Sequence, residues 1–374
     1  MALPAIHSTT FLKAPPPTLP TYLDSKLWEN LRGTLTGSHS TISKILGLAV
    51  VLGLLYCAKW IYNSRTVRKP DAKPLNFDQL PSSTNSASFE IKQKYLDQYQ
   101  HFKFTPTNNL PFAKEANTHS HRNRHPNVLP YQQNIFKFQD PSLYFNASRV
   151  LEGRAISCQG PLNYEHADFW RMVWESKTTA IVMLTDLGEN GNRKCSWYLP
   201  RAAGEKLPSE PSFPQELEIT VTQTNEPLKS TDALIKDSTN ERHLELEYKG
   251  EKRMVVHYHL KGWGDFQAVP PNILAKLVKL VWEIHYSKGE HIISHCSAGI
   301  GRSGTFLATL EAFAQLKNKP NLTNLVFNTV QQLRSFAHGR VGMVQTAEQY
   351  GLIFKTLAVL DADCAREFCV QTPS

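Results

Sequence analysis

Cysteine is scarce in this chain and never occurs in closely spaced pairs. Six cysteines are spread over 374 residues, and no two of them have the C-x-x-C spacing. A disulfide-stapled fold and a structural zinc site both need clustered cysteines, so this spacing argues against both classes. We therefore expect a reduced protein that faces the cytosol and has no metal centre.

A basic stripe is also lacking, although the chain carries a formal net charge of +8. Lysine and arginine are dispersed along the sequence and are not interleaved with aromatic residues. Recognition of nucleic acid usually needs basic side chains gathered on one face or along one helix. The sequence therefore predicts no nucleic-acid partner.

Long hydrophobic runs are absent, with one exception near the N-terminus. Residues 45–58 read ILGLAVVLGLLYCA, and Lys59, Trp60 and Tyr62 follow directly. Lysine can extend its charged end to the headgroups and aromatic rings favour the interface, so the segment extends to residues 42–63, near the ~20 residues that a bilayer requires. This pattern predicts a transmembrane helix. The alternative is a helix buried in the core of a soluble protein.

The charges on either side of this run predict its orientation. Basic residues are more frequent after it than before it: Lys59, Arg65, Arg68, Lys69 and Lys73 against Arg32 and Lys44. Under the positive-inside rule, the C-terminal side lies in the cytosol. We therefore expect a single-pass membrane protein whose large C-terminal part is cytosolic.

Composition divides the rest of the chain into four segments. Residues 1–41 are rich in Pro, Ser and Thr without hydrophobic periodicity, which predicts a disordered tail. Residues 64–88 are polar, contain Pro and Ser, and are typical of a linker. A globular domain is predicted over residues 89–363, followed by a C-terminal tail of residues 364–374.

Within the globular domain, short apolar runs come first and helical patterns dominate later. The runs RAISC, TAIVMLT, LEITVTQ and HIIS predict strands, and the alternation over residues 243–260 predicts a hairpin that turns at Lys249-Gly250. Helical spacing is found in four stretches: residues 271–289, 303–316, 321–337 and 345–362. This order predicts an α/β fold, a single domain with a highly twisted mixed β-sheet flanked by helices.

The stretch SHCSAGIGRSGT, residues 294–305, lies between the last predicted strand and a predicted helix. Its glycines free the backbone to curl so that N–H groups point inward, and the helix N-terminus adds positive potential. Such a cradle holds a tetrahedral oxyanion and favours the thiolate of Cys296 near neutral pH. Arg302 offers a planar fork for two phosphoryl oxygens. The alternative, a structural buried cysteine, explains neither the glycines nor Arg302.

This loop resembles the signature of the tyrosine-specific protein tyrosine phosphatases, and further stretches agree with that family in the expected order. They are NRHPNVLPY (123–131), NAS (146–148), CQGPL (158–162), DFWRMVWE (168–175), KCSWYLP (194–200), GWGDF (262–266) and VGMVQTAEQY (341–350). The resemblance covers residues 89–363. It implies the fold of that family and hydrolysis of phosphotyrosine in protein substrates through a cysteinyl-phosphate intermediate, without a cofactor.

The resemblance also implies the catalytic roles. Cys296 attacks phosphorus, Arg302 stabilises the phosphoryl oxygens and Ser303 eases departure of the thiolate. Asp265, on a mobile loop, protonates the leaving group and later takes a proton from water positioned by Gln345. The loop residues that surround the phosphoryl group are Ser297, Ala298, Gly299, Ile300 and Gly301.

Five further residues have supporting roles by the same resemblance. Gln349 assists in positioning the water, and His295 tunes the reactive thiol. Glu189 orients the loop arginine, and Lys194 lies on the same hairpin as Glu189. Trp263 belongs to the mobile loop that carries the general acid.

Two departures from the family pattern matter more than the others. The acid loop of the family reads Trp-Pro-Asp, whereas this chain has Gly264 before Asp265, so closing the loop should cost more entropy, by about 1 kcal/mol. We expect an enzyme that is slower by about tenfold. His125 replaces a tyrosine that stacks on the phosphotyrosine ring, and Asn127 matches an Asp or Asn that binds peptide backbone. The preference for tyrosine is therefore expected to be weaker.

These departures leave a second class of function open, a phosphatase-like domain that binds phosphotyrosine with little or no turnover. Residues 297–301 contain no lysine, which argues against the phosphoinositide-directed relatives. His257 and His259 share a strand face and are expected to be structural and not metal ligands. The chain fits a host signalling enzyme, and it also fits a bacterial effector delivered into a host cell.

Overall fold

A computed structural model describes residues 97–102, 110–207, 219–225, 237–316 and 322–370 of the chain. The predicted tail, membrane-spanning segment and linker, residues 1–88, lie outside these ranges. In the described ranges, no helix combines the length and the apolar character that a bilayer crossing requires.

A main sheet of eight strands and a separate two-stranded hairpin form the β-structure of the described ranges. The strands are β1 (Ala147–Val150), β2 (Ala155–Cys158), β3 (Thr178–Met183), β4 (Gly188–Glu189), β5 (Asn192–Arg193), β6 (Lys206–Leu207), β7 (Thr220–Gln223), β8 (Thr239–Tyr248), β9 (Glu251–Leu260) and β10 (His291–His295). The order in the main sheet is β1-β2-β10-β3-β9-β8-β7-β6, and β4 pairs with β5.

The centre of the sheet is parallel and its edges are antiparallel. Strands β2, β10, β3 and β9 run in one direction, with Ser294 of β10 level with Ser157 on one side and Val182 on the other. Central parallel strands are covered on both faces, which is why β3 ends in the continuous apolar run Ala180 to Met183 and β10 is buried from Ile292 to His295. Their C-terminal ends share one edge of the sheet, so the loops that follow them meet there.

Six α-helices surround this sheet in the described ranges. They are α1 (Lys114–Thr118), α2 (His166–Glu175), α3 (Pro271–Ile284), α4 (Arg302–Gln315), α5 (Leu322–Arg334) and α6 (Ala347–Val370), with 3₁₀ turns at Ser120–Arg122, Leu151–Gly153 and Tyr286–Lys288. Residues 97–102 are also helical. Helix α6 continues beyond residue 363, where the globular domain was expected to end.

The helices form two layers because side chains alternate along the strands. Ala180 and Val182 of β3 pack into one core with α3, α4, α5 and α6, whereas Ile181 and Met183 pack into a second core with α2. Helix α4 lies between its neighbours and is buried over its first twelve residues, Arg302 to Phe313. It therefore presents apolar residues on every side, as expected for a central helix.

The predicted α/β class with a twisted mixed sheet is confirmed. The hairpin of β8 and β9 turns at Lys249 and Gly250, as predicted, and both residues have left-handed φ angles of 51° and 81°. Two such residues in succession match the tight turn that suits the twist of paired strands. Strand β8 begins at Thr239, earlier than the alternation indicated.

Candidate active site

The loop that contains Cys296 connects the central strand β10 to the buried helix α4. Gly299 has a left-handed φ of 73°, and a Cβ atom there would run into the backbone carbonyl of Cys158. A Cβ atom at Gly301 would run into the side chain of Gln345. The loop therefore requires glycine at position 299, both for its conformation and for the close approach of the Cys158 backbone, whereas Gly301 meets only the end of a side chain.

Several amide groups of this loop have no hydrogen-bond acceptor within the described ranges. They belong to Ser297, Ala298, Ile300 and Gly301, whereas the Gly299 amide donates to Cys296 Sγ at 3.3 Å. Buried N–H groups are rarely left without an acceptor, and successive free amides form a binding place for an anion. The loop thus has the donors that a phosphoryl group requires.

Cys296 lies within this ring of donors and is only 2% exposed. Burial alone would raise the pKa of its thiol, but the positive charge of Arg302 opposes this effect, and the neighbouring Ser303 and the hydrogen bond from the Gly299 amide also lower the pKa. The result is a pKa below the ordinary value of a cysteine. The thiolate, which is the nucleophilic form, is therefore favoured at this position.

Arg302 is almost fully buried and is held by one end of its guanidinium group. Its Nη1 donates to Glu189 Oε1 at 2.5 Å and to the Trp263 carbonyl at 2.6 Å. Its Nη2 lies 3.2 Å from Asp265 Oδ1, and its Nε has no partner in the described ranges. On the edge formed by Nε and Nη2, Nε is free and Nη2 is shared with Asp265, so a phosphoryl group can bind this edge in a bidentate way by displacing or sharing the Asp265 contact.

Asp265 lies on the loop after β9, where two contacts hold it besides the one with Arg302. Its backbone amide donates to Glu189 Oε2 at 2.9 Å, and its Oδ2 accepts from Lys194 Nζ at 2.8 Å. Glu189 thus bridges the loop arginine and the acid loop. The buried Trp263 anchors the start of the acid loop by donating Nε1–H to the Gln267 carbonyl at 2.8 Å.

Gly264 adopts a conformation that does not require glycine. Its φ lies outside the left-handed region, and a Cβ atom there would come within 2.7 Å of the Gln267 side-chain oxygen. That oxygen is the end of a flexible, exposed side chain, which can move away. The backbone of this loop is therefore compatible with a larger residue at position 264.

His125 forms one side of the entrance to the loop. Its Nε2 lies 3.2 Å from Ser297 Oγ, and burial, followed by the charge of Arg124, lowers its pKa below the usual value. Arg124 fixes this side by donating to the carbonyls of Gly160 and Pro161 at 2.9 and 2.8 Å. Sequence reasoning missed Arg124, although it adjoins His125.

The two glutamines lie beside the loop, whereas Asn127 is related to it only through the segment that it shares with His125. Asn127 is exposed on the segment that carries His125. Gln345 and Gln349 both approach Gly301, and the backbone amide of Gln345 donates to Gln349 Oε1 at 2.9 Å. The side-chain nitrogen of Gln349, Nε2, is buried and has no partner in the described part of the chain. It is therefore a further donor available beside the loop.

His295 and Ser303, the immediate neighbours of the loop in β10 and α4, are fully buried. His295 contacts the Tyr198 hydroxyl at 2.6 Å. Tyr198 was not singled out from the sequence, because it follows β5 in an irregular segment and its partner lies almost a hundred residues away. Tyr198 belongs to the stretch KCSWYLP, residues 194–200, whose family resemblance is the sequence feature that points to it.

The described ranges contain no group of three or more His, Cys, Asp or Glu side chains arranged to hold a metal ion. Within those ranges Cys158, Cys195 and Cys296 are free thiols. The groups that the described residues bring together at the site are a thiol, a guanidinium group, backbone amides and two carboxylates.

Comparison with known proteins agrees with this geometry. Residues 119–359 match the family model described as protein-tyrosine phosphatase. Tyrosine-protein phosphatase non-receptor type 7 of Rattus norvegicus is 34% identical over 263 residues, 67% of this chain and 66% of that protein. Receptor-type tyrosine-protein phosphatase alpha of Homo sapiens is 32% identical over 294 residues, 75% of this chain and 33% of that protein.

A third relative, tyrosine-protein phosphatase 69D of Drosophila melanogaster, is 26% identical over 312 residues. The alignment covers 81% of this chain and 20% of the Drosophila protein, so the chain spans between a fifth and about two thirds of the length of these three relatives. The family model covers more than half of the chain. With the cysteine loop, its arginine and the neighbouring carboxylates in place, the chain belongs to the protein-tyrosine phosphatase family.

Proposed function

We propose that this chain hydrolyses phosphotyrosine in protein substrates, with Cys296 as the nucleophile. The observation that carries the proposal is the pairing of free loop amides with the Arg302 guanidinium, which Glu189 holds by Nη1 alone. This arrangement leaves donors for three phosphoryl oxygens around a thiol whose pKa is lowered. Donors placed in advance stabilise the charge that develops on those oxygens in the transition state.

In the first step, the Cys296 thiolate attacks phosphorus and the bond from phosphorus to the tyrosine oxygen breaks. The departing phenolate takes a proton from the Asp265 carboxylic acid, which supplies the general acid catalysis. The loop residues 297–301 and Arg302 bind the three equatorial oxygens. The products of this step are a neutral tyrosine side chain, a cysteinyl-phosphate and an Asp265 carboxylate.

In the second step, water attacks the same phosphorus and the bond from phosphorus to sulfur breaks. Asp265 accepts a proton from the water, which Gln345 positions with the help of Gln349. Ser303 stabilises the departing thiolate through the contacts that also lower the pKa of Cys296. Inorganic phosphate leaves, and the thiolate and the carboxylic acid are restored.

Turnover of a small aryl phosphate by purified protein tests the proposal. We expect the wild type to hydrolyse it and Cys296→Ser to reduce the rate to the background. Cys195→Ser is a matched control, because Cys195 is also a buried free thiol and has no proposed contact with the phosphoryl group. Phosphopeptide binding by the wild type without hydrolysis would instead support a phosphotyrosine-binding module.

We also propose that phosphotyrosine proteins are the substrates, held at the entrance by His125 and Asn127. The Asp265→Ala variant should form the cysteinyl-phosphate slowly and therefore retain bound substrate. A pulldown with this variant should then enrich phosphotyrosine proteins from a cell lysate. Competition by free orthovanadate should release them. Enrichment that vanadate leaves unchanged would contradict capture at this site.

We further propose that residues 42–63 anchor the chain in a membrane, after a tail of residues 1–41 and before a linker of residues 64–88. The apolar run and the excess of basic residues after it support a cytosolic catalytic domain, residues 89–363. We expect the full chain to remain with membranes during alkaline extraction, and a Val50→Lys, Leu54→Lys double variant to be released. Release of the wild type would favour the buried-helix alternative.

A further inference from the structure

Behind the catalytic loop, three buried side chains form a hydrogen-bonded series that ends at the nucleophile. His257 Nε2 lies 2.8 Å from the Tyr198 hydroxyl, and the same hydroxyl lies 2.6 Å from His295 Nε2. The other ring nitrogen of His295 lies 3.3 Å from the Cys296 carbonyl oxygen. All three side chains are at most 1% exposed, so water cannot substitute for any of these contacts.

The direction of these hydrogen bonds follows from the last contact. A carbonyl oxygen only accepts, so Nδ1 of His295 carries a hydrogen and donates to Cys296. In a neutral imidazole, Nε2 is then an acceptor, and the Tyr198 hydroxyl must donate to it. The tyrosine has no second hydrogen, so its oxygen accepts from Nε2–H of His257.

One further observation agrees with this direction, and another supports a neutral ring at His257. It leaves Nδ1 of His257 without a hydrogen, and that nitrogen has no partner within the described ranges. A buried bare acceptor is tolerated better than a buried N–H without an acceptor. Burial first, and then the cation Arg242, lowers the pKa of His257.

The surroundings of His295 also favour its neutral form. Burial lowers its pKa to about 3, and the charges that act on it come from His259, Arg124 and Arg302, none of which is acidic. An imidazolium ion at His295 would therefore be buried among positive charges. Both rings of the series are neutral at the pH at which the thiolate reacts.

We propose that His257 is a positioning residue that holds His295 in the tautomer whose Nδ1–H faces the Cys296 carbonyl. Without a donor at position 257, the Tyr198 oxygen is free to accept from His295. His295 can then place its hydrogen on Nε2 and turn a lone pair towards the Cys296 carbonyl. The resulting repulsion displaces the peptide of the nucleophile. The expected loss of turnover rests on the proposed function, whereas the expected tautomer of His295 does not.

The tautomers can be measured without any turnover. Nitrogen-15 labelling of histidine distinguishes a ring nitrogen that carries hydrogen from one that does not. We expect Nδ1 of His295 and Nε2 of His257 to carry the hydrogens in the wild type. The opposite tautomer at either ring would overturn the proposal, and so would a doubly protonated His295 at neutral pH.

Two substitutions of equal length test the role of the donor at position 257. His257→Gln retains an N–H group that can reach the hydroxyl, whereas His257→Met has nearly the same shape and no donor. We expect His257→Met to give a mixture of His295 tautomers and His257→Gln to give one. Since one net hydrogen bond corresponds to about two- to tenfold in a rate constant, kcat/KM should fall by that factor only in the Met variant.

Alkylation of Cys296 by iodoacetamide, followed by mass spectrometry of its peptide, supplies a readout independent of phosphatase activity. The pH midpoint of alkylation should rise in His257→Met and in Tyr198→Phe, and the double variant should add little to either. Tyr258→Phe is the control, because Tyr258 is a buried tyrosine whose hydroxyl contacts a different histidine, His285, at 3.3 Å.

A folded His257→Met protein with a single His295 tautomer and an unchanged alkylation midpoint would overturn the proposal. If instead the midpoint shifts and no variant, including the wild type, hydrolyses phosphate, the proposed function fails while the positioning role stands. Thermal unfolding of both position-257 variants identifies any difference that comes from stability alone.

Discussion

Asp265 and Arg302 form an ion pair in the active site, with Oδ1 of the carboxylate 3.2 Å from Nη2 of the guanidinium. Lys194 contacts the other carboxylate oxygen at 2.8 Å. Asp265 therefore lies between two cations, one that is expected to bind phosphate and one that is not. When Nη2 binds a phosphoryl oxygen, Lys194 and the backbone contact to Glu189 remain to hold the acid loop.

Lys194 should therefore contribute to turnover through the position of Asp265. We expect Lys194→Met to lower kcat by up to about fivefold, because a partly exposed ion pair contributes up to about 1 kcal/mol. Asp265→Asn should lower kcat by about 10²- to 10⁴-fold, since it removes general acid catalysis. In the Asp265→Asn background, the Lys194 substitution should have little further effect. Equal effects of Lys194→Met in both backgrounds would contradict this coupling.

Glu189 connects the loop arginine to the acid loop through its two oxygens. Glu189→Gln keeps the shape but replaces one acceptor by an amide that must face either Arg302 or the Asp265 N–H. We expect kcat to fall by about tenfold, the size of one lost charge-assisted hydrogen bond, with a smaller change in KM. Steady-state kinetics on an aryl phosphate measure both constants, and Glu251→Gln is a surface control, because the Glu251 side chain is 70% exposed. A change confined to KM would contradict this role.

Gly264 makes the acid loop less restricted than proline would. A proline at this position should stabilise the ordered loop by about 0.4–1 kcal/mol, which corresponds to a two- to fivefold gain in kcat if loop closure limits the rate. The Gln267 side chain lies where the proline ring would be placed. The proline is therefore best introduced in the double variant Gly264→Pro, Gln267→Gly. The double variant Gly264→Ala, Gln267→Gly is the matched control. A burst experiment that finds no change in the chemical step would defeat this prediction.

The thiolate of Cys296 should be present below the pH at which an ordinary cysteine ionises. Because its pKa is lowered, the rate of Cys296 alkylation by iodoacetamide should rise with pH through that lowered value and level off before the ordinary one. Ser303→Ala removes a hydroxyl that favours the thiolate, so the alkylation midpoint of Cys296 should move up in pH. Thr309→Val removes a buried hydroxyl of the same helix that bonds only to the Thr305 carbonyl, and it should leave the midpoint unchanged.

His125 should limit affinity for phosphotyrosine more than it limits chemistry. We expect His125→Tyr to lower KM for a phosphotyrosine peptide severalfold, by about 1 kcal/mol of aromatic stacking, with kcat little changed. His125→Phe separates the effect of the larger ring from that of a polar group, because phenylalanine has no atom that can replace the contact between His125 and Ser297. A gain in kcat at constant KM would show that His125 acts in the chemical step instead.

The catalytic loop could be predicted from its own residues, because its features are local. A strand, a run of glycines, an arginine and a helix follow one another within residues 291–315, so no long-range packing was needed to infer an anion site. The hairpin at Lys249-Gly250 was predictable for the same reason. The family resemblance then supplied Asp265 and Glu189, which the local pattern alone does not connect to Cys296.

The contacts between distant segments could not be predicted in the same way. Glu189 and Asp265 meet because β3 and β9 are neighbours in the sheet, and strand order is not encoded in the period of either strand. Tyr198 lies in an irregular segment, and His257 looks like an ordinary strand histidine until its partner is known. Interactions of this kind depend on tertiary packing, which propensity and periodicity do not describe.

Three adjacent parallel strands, β10, β3 and β9, deliver the nucleophile, the bridging carboxylate and the acid to one edge of the sheet. A slip of β3 by one residue would displace Glu189 by about 3.3 Å and reverse the faces of its neighbours. That distance exceeds the tolerance of a hydrogen bond. Strand register thus fixes the relative positions of these three groups, and we expect buried substitutions in β3, such as Val182→Ala, to impair turnover at temperatures where the protein is still folded.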